Sequence, residues 1–147
     1  MKSTIGIFIV IFVTAMTQAQ LAQNDVPAFH DKPPAKGEVL PAVLTEKQLA
    51  EQGLTAPAQI EAYRAAAKAP GVMHQMPCYC FCDRNHGHKS LHSCFEGTHG
   101  ANCGVCIGEA LYAYQMSRKG WTAKMIRDGI MRGDFKTMDL QHPEHVM

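Results

Sequence analysis

The 147-residue sequence lacks several features that would assign it to a common functional class. Its charge is almost balanced, with 14 Lys and Arg against 13 Asp and Glu, so no strong basic field is available for non-specific nucleic-acid binding. No segment alternates apolar and polar residues over a sustained stretch, as β-strands with one buried face do, and there is no internal repeat. We therefore expect one domain at most, without strands and without a nucleic-acid partner.

Two chemical signatures are also absent. No C-x-x-C-H occurs, because Ile107 follows Cys106, and this excludes the attachment of haem c. The carboxylates near the cysteines, Asp83, Glu96 and Glu109, show no spacing that would pair an acid with a base for hydrolysis. We expect Glu109 to lie on the long helix, either on its surface or next to the cysteines, where it would contact them without binding a ligand itself. The sequence therefore assigns no enzymatic reaction.

The amino terminus has the layout of a secretion signal. Lys2 precedes an apolar run over Ile5–Val13, and Thr17–Ala19 places small residues where a signal peptidase cleaves. This layout predicts a signal peptide over residues 1–19 and a periplasmic or secreted location. Even when counted to Met16, the apolar run is shorter than the roughly 20 residues that span a membrane, so we expect membrane attachment only if the segment is retained.

The rest of the chain divides into three parts by composition. Residues 20–44 hold four prolines and few large apolar residues, which is typical of a disordered spacer. Residues 45–135 carry the helical signals and form the predicted domain, and residues 136–147 are expected to be a flexible tail. A domain of about 90 residues, interrupted by a polar loop, often needs disulfides or a metal ion for stability.

Capping residues and periodicity predict two helices before the cysteines. Thr45, with Gln48 three residues later, predicts a capped helix at the start of the domain. A second helix fits residues 57–68, and the pair Pro70–Gly71 is expected to end it. Four residues share one face of this second helix: Ile60, Tyr63, Arg64 and Ala67.

Three further helical segments follow. A short one follows Ser90 and runs through Phe95, and the longest starts between Thr98 and Cys103 and runs to Lys119. Thr122 caps the last. We therefore predict a mainly α fold. It is a small helical domain with a Cys/His-rich loop, preceded by a signal peptide and a Pro-rich spacer.

All six cysteines lie between residues 78 and 106, together with four of the eight histidines, and a fifth, His74, lies just before them. The cysteines are Cys78, Cys80, Cys82, Cys94, Cys103 and Cys106. The first three alternate with aromatic residues. In an extended strand they would lie about 6.6 Å apart, whereas a disulfide needs Cβ atoms within about 3.5 to 4.5 Å, and in a helix the middle one would point away. We therefore expect them to find partners among the later three.

Three interpretations of these cysteines remain open. Three disulfides would stabilise an interaction module without catalysis. Alternatively, the six thiolates could bind a soft transition metal, Cu(I) or Zn, with His88 as the imidazole ligand, and the abundance of histidine favours this interpretation. Third, Cys103 and Cys106 form a C-x-x-C at the start of the longest helix, where the helix dipole favours a reactive thiolate. Redox exchange with the first three cysteines would follow, although no βαβ pattern surrounds the motif.

Three sequence blocks carry a resemblance to a known family. They are PCYCFCD at 77–83, GHKSLHSCF at 87–95, and CGVC at 103–106 followed by EA at 109–110. In this order they resemble bacterial proteins known by their PCYCGC or CYCxC motif, over about half of the chain. The resemblance implies an exported protein whose function is not established. Many relatives are lipoproteins, and some are described as containing selenocysteine, which implies redox use of the cysteines.

The chain departs from this family in two ways. Phe81 stands where the motif has glycine, and no lipoprotein cysteine is found near the predicted cleavage site. If relatives carry selenocysteine at the position of Phe81, this chain has no redox atom there. The resemblance therefore supports the site and the exported location more than any activity.

Overall fold

The computed structural model describes residues 25–146, so the predicted signal peptide lies outside the described residues. Within the described range the chain is helical and contains no strand, which confirms the mainly α prediction. Among these residues, no helix has the length and apolar character needed to cross a lipid bilayer.

Six α-helices and four 3₁₀ turns follow one another along the described residues. The α-helices are α1 (Glu46–Glu51), α2 (Pro57–Lys68), α3 (Pro70–His74), α4 (Cys82–His86), α5 (Gly104–Arg118) and α6 (Ala123–Arg132). The 3₁₀ turns are Leu91–Phe95, Gly100–Asn102, Asp134–Thr137 and Pro143–Val146.

Local capping sets the starts of three helices, as the sequence predicts. At α1, the Thr45 hydroxyl accepts the Gln48 N–H at 3.3 Å while the Gln48 side chain accepts the Thr45 N–H at 2.8 Å. At α6, Thr122 Oγ1 accepts the Met125 N–H. Helix α2 begins at Pro57. Proline lacks a backbone N–H, and at the first position of a helix that N–H would have no hydrogen-bond partner within the helix.

The pair Pro70–Gly71 does more than end a helix. Helix α2 ends at Lys68, and after the non-helical Ala69 the chain enters α3 with Pro70 at its first position. The sequence predicts only a stop here. Because proline is well suited to the first turn of a helix, the same residue that ends α2 also starts α3.

Helix α5 forms the centre of the fold. Its residues 106–114 are buried on every side, and it packs against α2, α3, α6 and all four 3₁₀ turns. It begins at Gly104 with Cys103 as its N-cap, one residue after the predicted range. The sequence therefore places this helix correctly but does not show that every face of it is covered.

Helix α2 approaches α5 through small side chains. Its buried residues are Ala62, Tyr63, Ala65 and Ala66. Of the four residues predicted to share a face, only Tyr63 is buried, because that face is not the one that packs on the domain: Arg64 and Ala67 are exposed and Ile60 is half-buried. Small side chains on the buried face leave room for the two helices to pack against each other.

The described part of the predicted disordered spacer packs against the domain. The Ala28 N–H donates to Asp83 Oδ2 at 3.0 Å, and the His30 ring stacks on His74 with 3.8 Å between ring centroids. Residues 25–44 contain no helix or strand, but these contacts fix the segment on the surface. Polar backbone and ring groups of this segment thus find partners on the domain. The domain boundaries drawn from the sequence stay predictions.

The chain after α6 also folds back. Phe135 is buried against Gly108 of α5, where an added Cβ would lie 3.2 Å from the Phe135 ring. The turn Pro143–Val146 packs against α2 and α5. The described part of the predicted flexible tail, residues 136–146, is therefore anchored near its end.

Candidate metal centre

Sulfur atoms from distant cysteines meet beside the first turn of α5. The Cys78 and Cys80 Sγ atoms lie 3.2 Å apart, and those of Cys80 and Cys82 lie 2.7 Å apart. Cys106 Sγ lies 3.3 Å from Cys78 Sγ and 3.4 Å from Cys80 Sγ. A disulfide bond measures about 2.05 Å, and none of the six cysteines is bridged. The structure therefore gives contacts between free thiols rather than three disulfides.

These sulfurs, together with one imidazole nitrogen, form two groups of four potential metal ligands. The first group is Cys78, Cys82, Cys94 and Cys106, all of them buried, and the second is Cys80, Cys82, His99 and Cys106. In each group the four ligand atoms lie within 4.8 Å of one another. We refer to the five cysteines of both groups as the thiol cluster. Sets of four thiolates and imidazoles are typical of tetrahedral zinc and related soft ions.

The first three cysteines converge because of the backbone conformation at Phe81. Its φ of 56° and ψ of 37° are left-handed, and within the described chain it is the one non-glycine residue with positive φ. Tyr79 and Cys80 form a turn before it, and α4 begins at Cys82 after it. The sequence predicts that these three thiols are poor partners for one another. Their mutual contacts depart from that expectation, because residues 78–81 belong to neither a strand nor a helix, whereas the contacts of Cys78 and Cys80 with Cys106 agree with it.

Glu109 fixes this turn from the central helix. Its Oε1 accepts the Tyr79 N–H at 2.9 Å, so α5 holds the backbone between Cys78 and Cys80. The side chain is fully buried, and burial raises the pKa of Glu109 to about 8. A surface position for Glu109 is therefore wrong, because α5 is covered on all sides. The alternative expectation, a supporting position behind the cysteines, matches the structure.

Three imidazole rings stand beside the thiol cluster. His99 Nε2 lies 2.9 Å from Cys82 Sγ, and His88 Nδ1 lies 3.3 Å from Cys94 Sγ. The ring of His86 lies 4.5 Å from that of His99. His88, the imidazole ligand predicted from the sequence, contacts the cluster but belongs to neither group of four. His99, which the sequence analysis does not single out as a ligand, belongs to one of them.

The glycine after His99 is the sequence signal for this residue's position. A Cβ at Gly100 would lie 2.8 Å from the Cys94 carbonyl oxygen and 3.0 Å from the Phe95 ring. Only glycine allows the backbone beside His99 to pack so closely against the turn that carries Cys94. This close approach brings the imidazole to the sulfurs.

Tyr63 of α2 holds the same segment from its other side. The Tyr63 hydroxyl donates to the Gly97 carbonyl at 2.5 Å and accepts the Ala101 N–H at 3.2 Å. Its ring packs edge-on against Phe95, with 4.9 Å between centroids. Burial raises the pKa of Tyr63 to about 12, so the hydroxyl keeps its proton and remains a donor. Helix α2 thereby positions the loop on which His99 lies.

Three of the cysteines that converge in this way, Cys78, Cys80 and Cys82, belong to one recurring sequence motif. A family model described as "Protein of unknown function with PCYCGC motif" matches residues 13–137. The chain belongs to this family. The PCYCGC motif falls at residues 77–82, and Phe81 replaces its glycine. No curated protein and no solved structure matches the chain.

One cysteine of this PCYCGC-family protein stands apart from the others. Cys103 is the N-cap of α5, is half-buried and belongs to neither group of four, whereas Cys106 lies in the first turn and belongs to both. The C-x-x-C therefore lies at the helix start, as predicted, but its two thiols have different surroundings. A ligand role for Cys103 and for His88 stays a prediction.

The thiols of the PCYCGC-family cluster differ in their tendency to ionise. Hydrogen bonds from Cys106 and Cys78 lower the pKa of Cys80, and hydrogen bonds with Cys106 and Cys80 raise the pKa of Cys78. Burial, followed by the hydrogen bond with Cys80, raises the pKa of Cys82 to about 11. One thiolate at Cys80 is thus stabilised by protonated neighbours. A bound cation would change this pattern, because it stabilises every thiolate that it contacts.

Proposed function

We propose that this PCYCGC-family protein is exported to the periplasm or secreted, and that it binds a soft transition metal ion, Cu(I) or Zn²⁺. The observation that carries the proposal is the first group of ligands, in which four buried and unbridged sulfurs lie within 4.8 Å of one another. Thiolate ligands suit both ions. The signal-peptide layout of residues 1–19 supports export.

The chemistry of the ligands fits a tightly held ion. Four chain segments supply them: the turn at residues 78–82, the 3₁₀ turn with Cys94, the segment with His99, and the first turn of α5. Each group takes its ligands from three of these segments, so an ion bound by either group would join distant parts of the chain and stabilise the fold of a small domain. We therefore propose a stabilising role for the metal, together with metal handling.

Elemental analysis after anaerobic purification tests this function. We expect at least one Cu or Zn per chain and protection of the cluster thiols from a thiol reagent until a chelator is added. Cys106→Ser, which removes a ligand from both groups, should lose most of the metal. The matched control Cys103→Ser should keep it. A metal-free chain with six freely reactive thiols would overturn the proposal without reliance on any variant.

Thiol–disulfide chemistry is a second candidate because of Cys80. This thiol is half-buried, its pKa is lowered, and its sulfur lies 2.7 Å from Cys82 Sγ. In this function the Cys80 thiolate attacks a disulfide of a partner molecule, and Cys82 then displaces the partner thiol. The partner gains two electrons and two protons as the Cys80–Cys82 disulfide forms. Loss of two thiols on oxidation with a small disulfide, reversed by dithiothreitol, would support it.

A further inference from the structure

Most ligands of the thiol cluster have no direct access to solvent. Of the ligands in the two groups of four, these sulfurs are buried: Cys78, Cys82, Cys94 and Cys106. The other two ligands, Cys80 and His99, are half-buried. An ion that arrives in a complex with another molecule must therefore exchange its ligands at the edge of the cluster. Metal-binding side chains at that edge can assist this exchange.

Helix α4 places one such side chain at its exposed end. Cys82 is the first residue of this helix and His86 is the last. Residues four positions apart lie on the same face of a helix, one turn from each other. Cys82 is buried, whereas His86 is exposed. One face of α4 thus leads from a buried sulfur of the cluster to an imidazole in solvent.

His99 lies between this imidazole and the sulfurs. The ring centroids of His86 and His99 are 4.5 Å apart, and His99 Nε2 lies 2.9 Å from Cys82 Sγ. Two imidazoles that bind one zinc ion, each through a nitrogen about 2.0–2.1 Å from the metal, have ring centroids roughly 5 Å apart. An ion can therefore bind both rings at the same time. Once it is bound to His99, it lies next to a sulfur of the cluster.

We infer that His86 is the entry ligand of the thiol cluster: it takes a Cu(I) or Zn²⁺ ion from a donor complex and passes it to His99. The bond between ion and donor breaks as the bond to the His86 nitrogen forms, and the bond to His86 breaks as the ion reaches the sulfurs. The ion keeps its charge, and the thiols that bind it release their protons to solvent. This inference rests on the proposed metal-binding function and adds the residue through which the ion is loaded.

An entry ligand affects the rate of loading and not the final affinity. His86 belongs to neither group of four, so its imidazole is not needed to hold the ion once the ion is bound. Loss of this imidazole should therefore slow the transfer while the dissociation constant stays the same. Because the equilibrium is unchanged, release of the ion to a strong chelator should slow by the same factor as its uptake.

Stopped-flow transfer of Zn²⁺ from a chromophoric chelator to the reduced, metal-free chain tests the inference. The rate of uptake by the wild type should rise in proportion to protein concentration, because His86 attacks the intact donor complex. His86→Ala should take up zinc several-fold more slowly, with the same stoichiometry and affinity at equilibrium. Asn85→Ala removes another exposed side chain from α4 and is the matched control, which should keep the wild-type rate.

Three results would overturn the inference and leave the proposed function intact. Equal rates for the wild type and His86→Ala would place entry elsewhere, for example at the half-buried Cys80. A weaker affinity in His86→Ala would make His86 a ligand of the bound ion. Uptake by the wild type at a rate independent of protein concentration would show that the donor releases the ion first, and this measurement needs no variant. A wild-type chain that binds no zinc would overturn both the inference and the proposed function.

Discussion

At Phe81 the backbone adopts a conformation that glycine adopts at lower cost. A side chain in the left-handed region costs about 1–2 kcal/mol, because its Cβ approaches the following carbonyl. Contacts of the ring offset part of this cost: the Arg84 guanidinium lies 4.1 Å from the ring centroid, and Tyr79 packs against it edge-on. The glycine of the PCYCGC motif suits this left-handed conformation, and this chain adopts the conformation with phenylalanine instead.

Substitutions of Phe81 test this explanation. Phe81→Gly loses the ring contacts but relieves the backbone strain, whereas Phe81→Ala loses the contacts and keeps the strain. We therefore expect the glycine variant to be more stable than the alanine variant by about 1 kcal/mol, the reverse of their usual order. Thermal unfolding of the two variants at equal metal load measures the difference. A more stable alanine variant would contradict the left-handed conformation.

His74 makes the stability depend on pH. Burial lowers the pKa of His74 from its usual 6.5, and the stacked His30 and the nearby His92 lower it further, while Glu38 opposes them. Below pH 6.5 the unfolded chain therefore binds a proton at this residue more readily than the folded chain does. Stability from this group is fully present above pH 6.5 and is lost as the pH falls through the lower, folded-state pKa.

The prediction for His74 is a smaller acid sensitivity in His74→Phe, which keeps an aromatic ring for the stack but does not titrate. Between pH 7.5 and 5.5, the unfolding temperature of the wild type should fall further than that of the variant. Both proteins are compared at the same metal load, so that metal release at low pH affects them equally. Parallel pH curves for the two proteins would rule out the contribution of His74.

At the scale of the elements, α2 controls the segment that carries His99. Tyr63→Phe removes the hydroxyl that bonds both the Gly97 carbonyl and the Ala101 N–H. We expect a loss of about 1–3 kcal/mol in the free energy of unfolding, since two partly buried groups lose their partner. We also expect weaker binding of the metal that uses His99. Denaturant unfolding measures the first effect, and zinc competition with a chromophoric chelator measures the second. Unchanged zinc affinity would show that α2 does not position His99 for metal binding.

The helices could be located from the sequence where their signals are local. The Thr45–Gln48 capping box and the Thr122 cap each involve residues within four positions of one another, so a short stretch of sequence is enough to predict them. The buried faces could not be located in this way. The burial of Glu109 and the exposure of Arg64 depend on which elements surround α5 and α2, and that information is spread over the whole chain.

The site was predictable in composition and less so in geometry. Clustering of the cysteines follows from their positions in the sequence, and five of them do meet. The contact between Cys80 and Cys82 depends on the conformation of Phe81, a residue type that seldom adopts positive φ, so helix and strand geometry alone made these thiols poor partners for one another. The position of His99 depends on the close packing of Gly100 against the backbone of Cys94. The sequence does not show that these two residues are neighbours in space.

For the whole molecule, we expect the metal to account for much of the stability. An ion present at about 1,000 times its dissociation constant stabilises a fold by about 4 kcal/mol. In a domain of 60–100 residues, this corresponds to a rise of about 15–30 °C in the unfolding temperature. Thermal scans with and without a strong chelator, under reductant, measure it. Cys106→Ser should show little response to the chelator, and an equal unfolding temperature for wild type in both conditions would contradict the prediction.

The short sequence distance between the outermost sulfurs has a consequence for the order of folding. Cys78 and Cys106 are only 28 positions apart, and closing a loop of that size costs roughly 3 kcal/mol of chain entropy. Structural zinc binds small peptides with about 10–16 kcal/mol, which exceeds this cost several-fold. Under the proposed metal binding, the ion can therefore gather its ligands while the flanking helices are still unfolded. It then acts as the nucleus around which α2 and α6 condense.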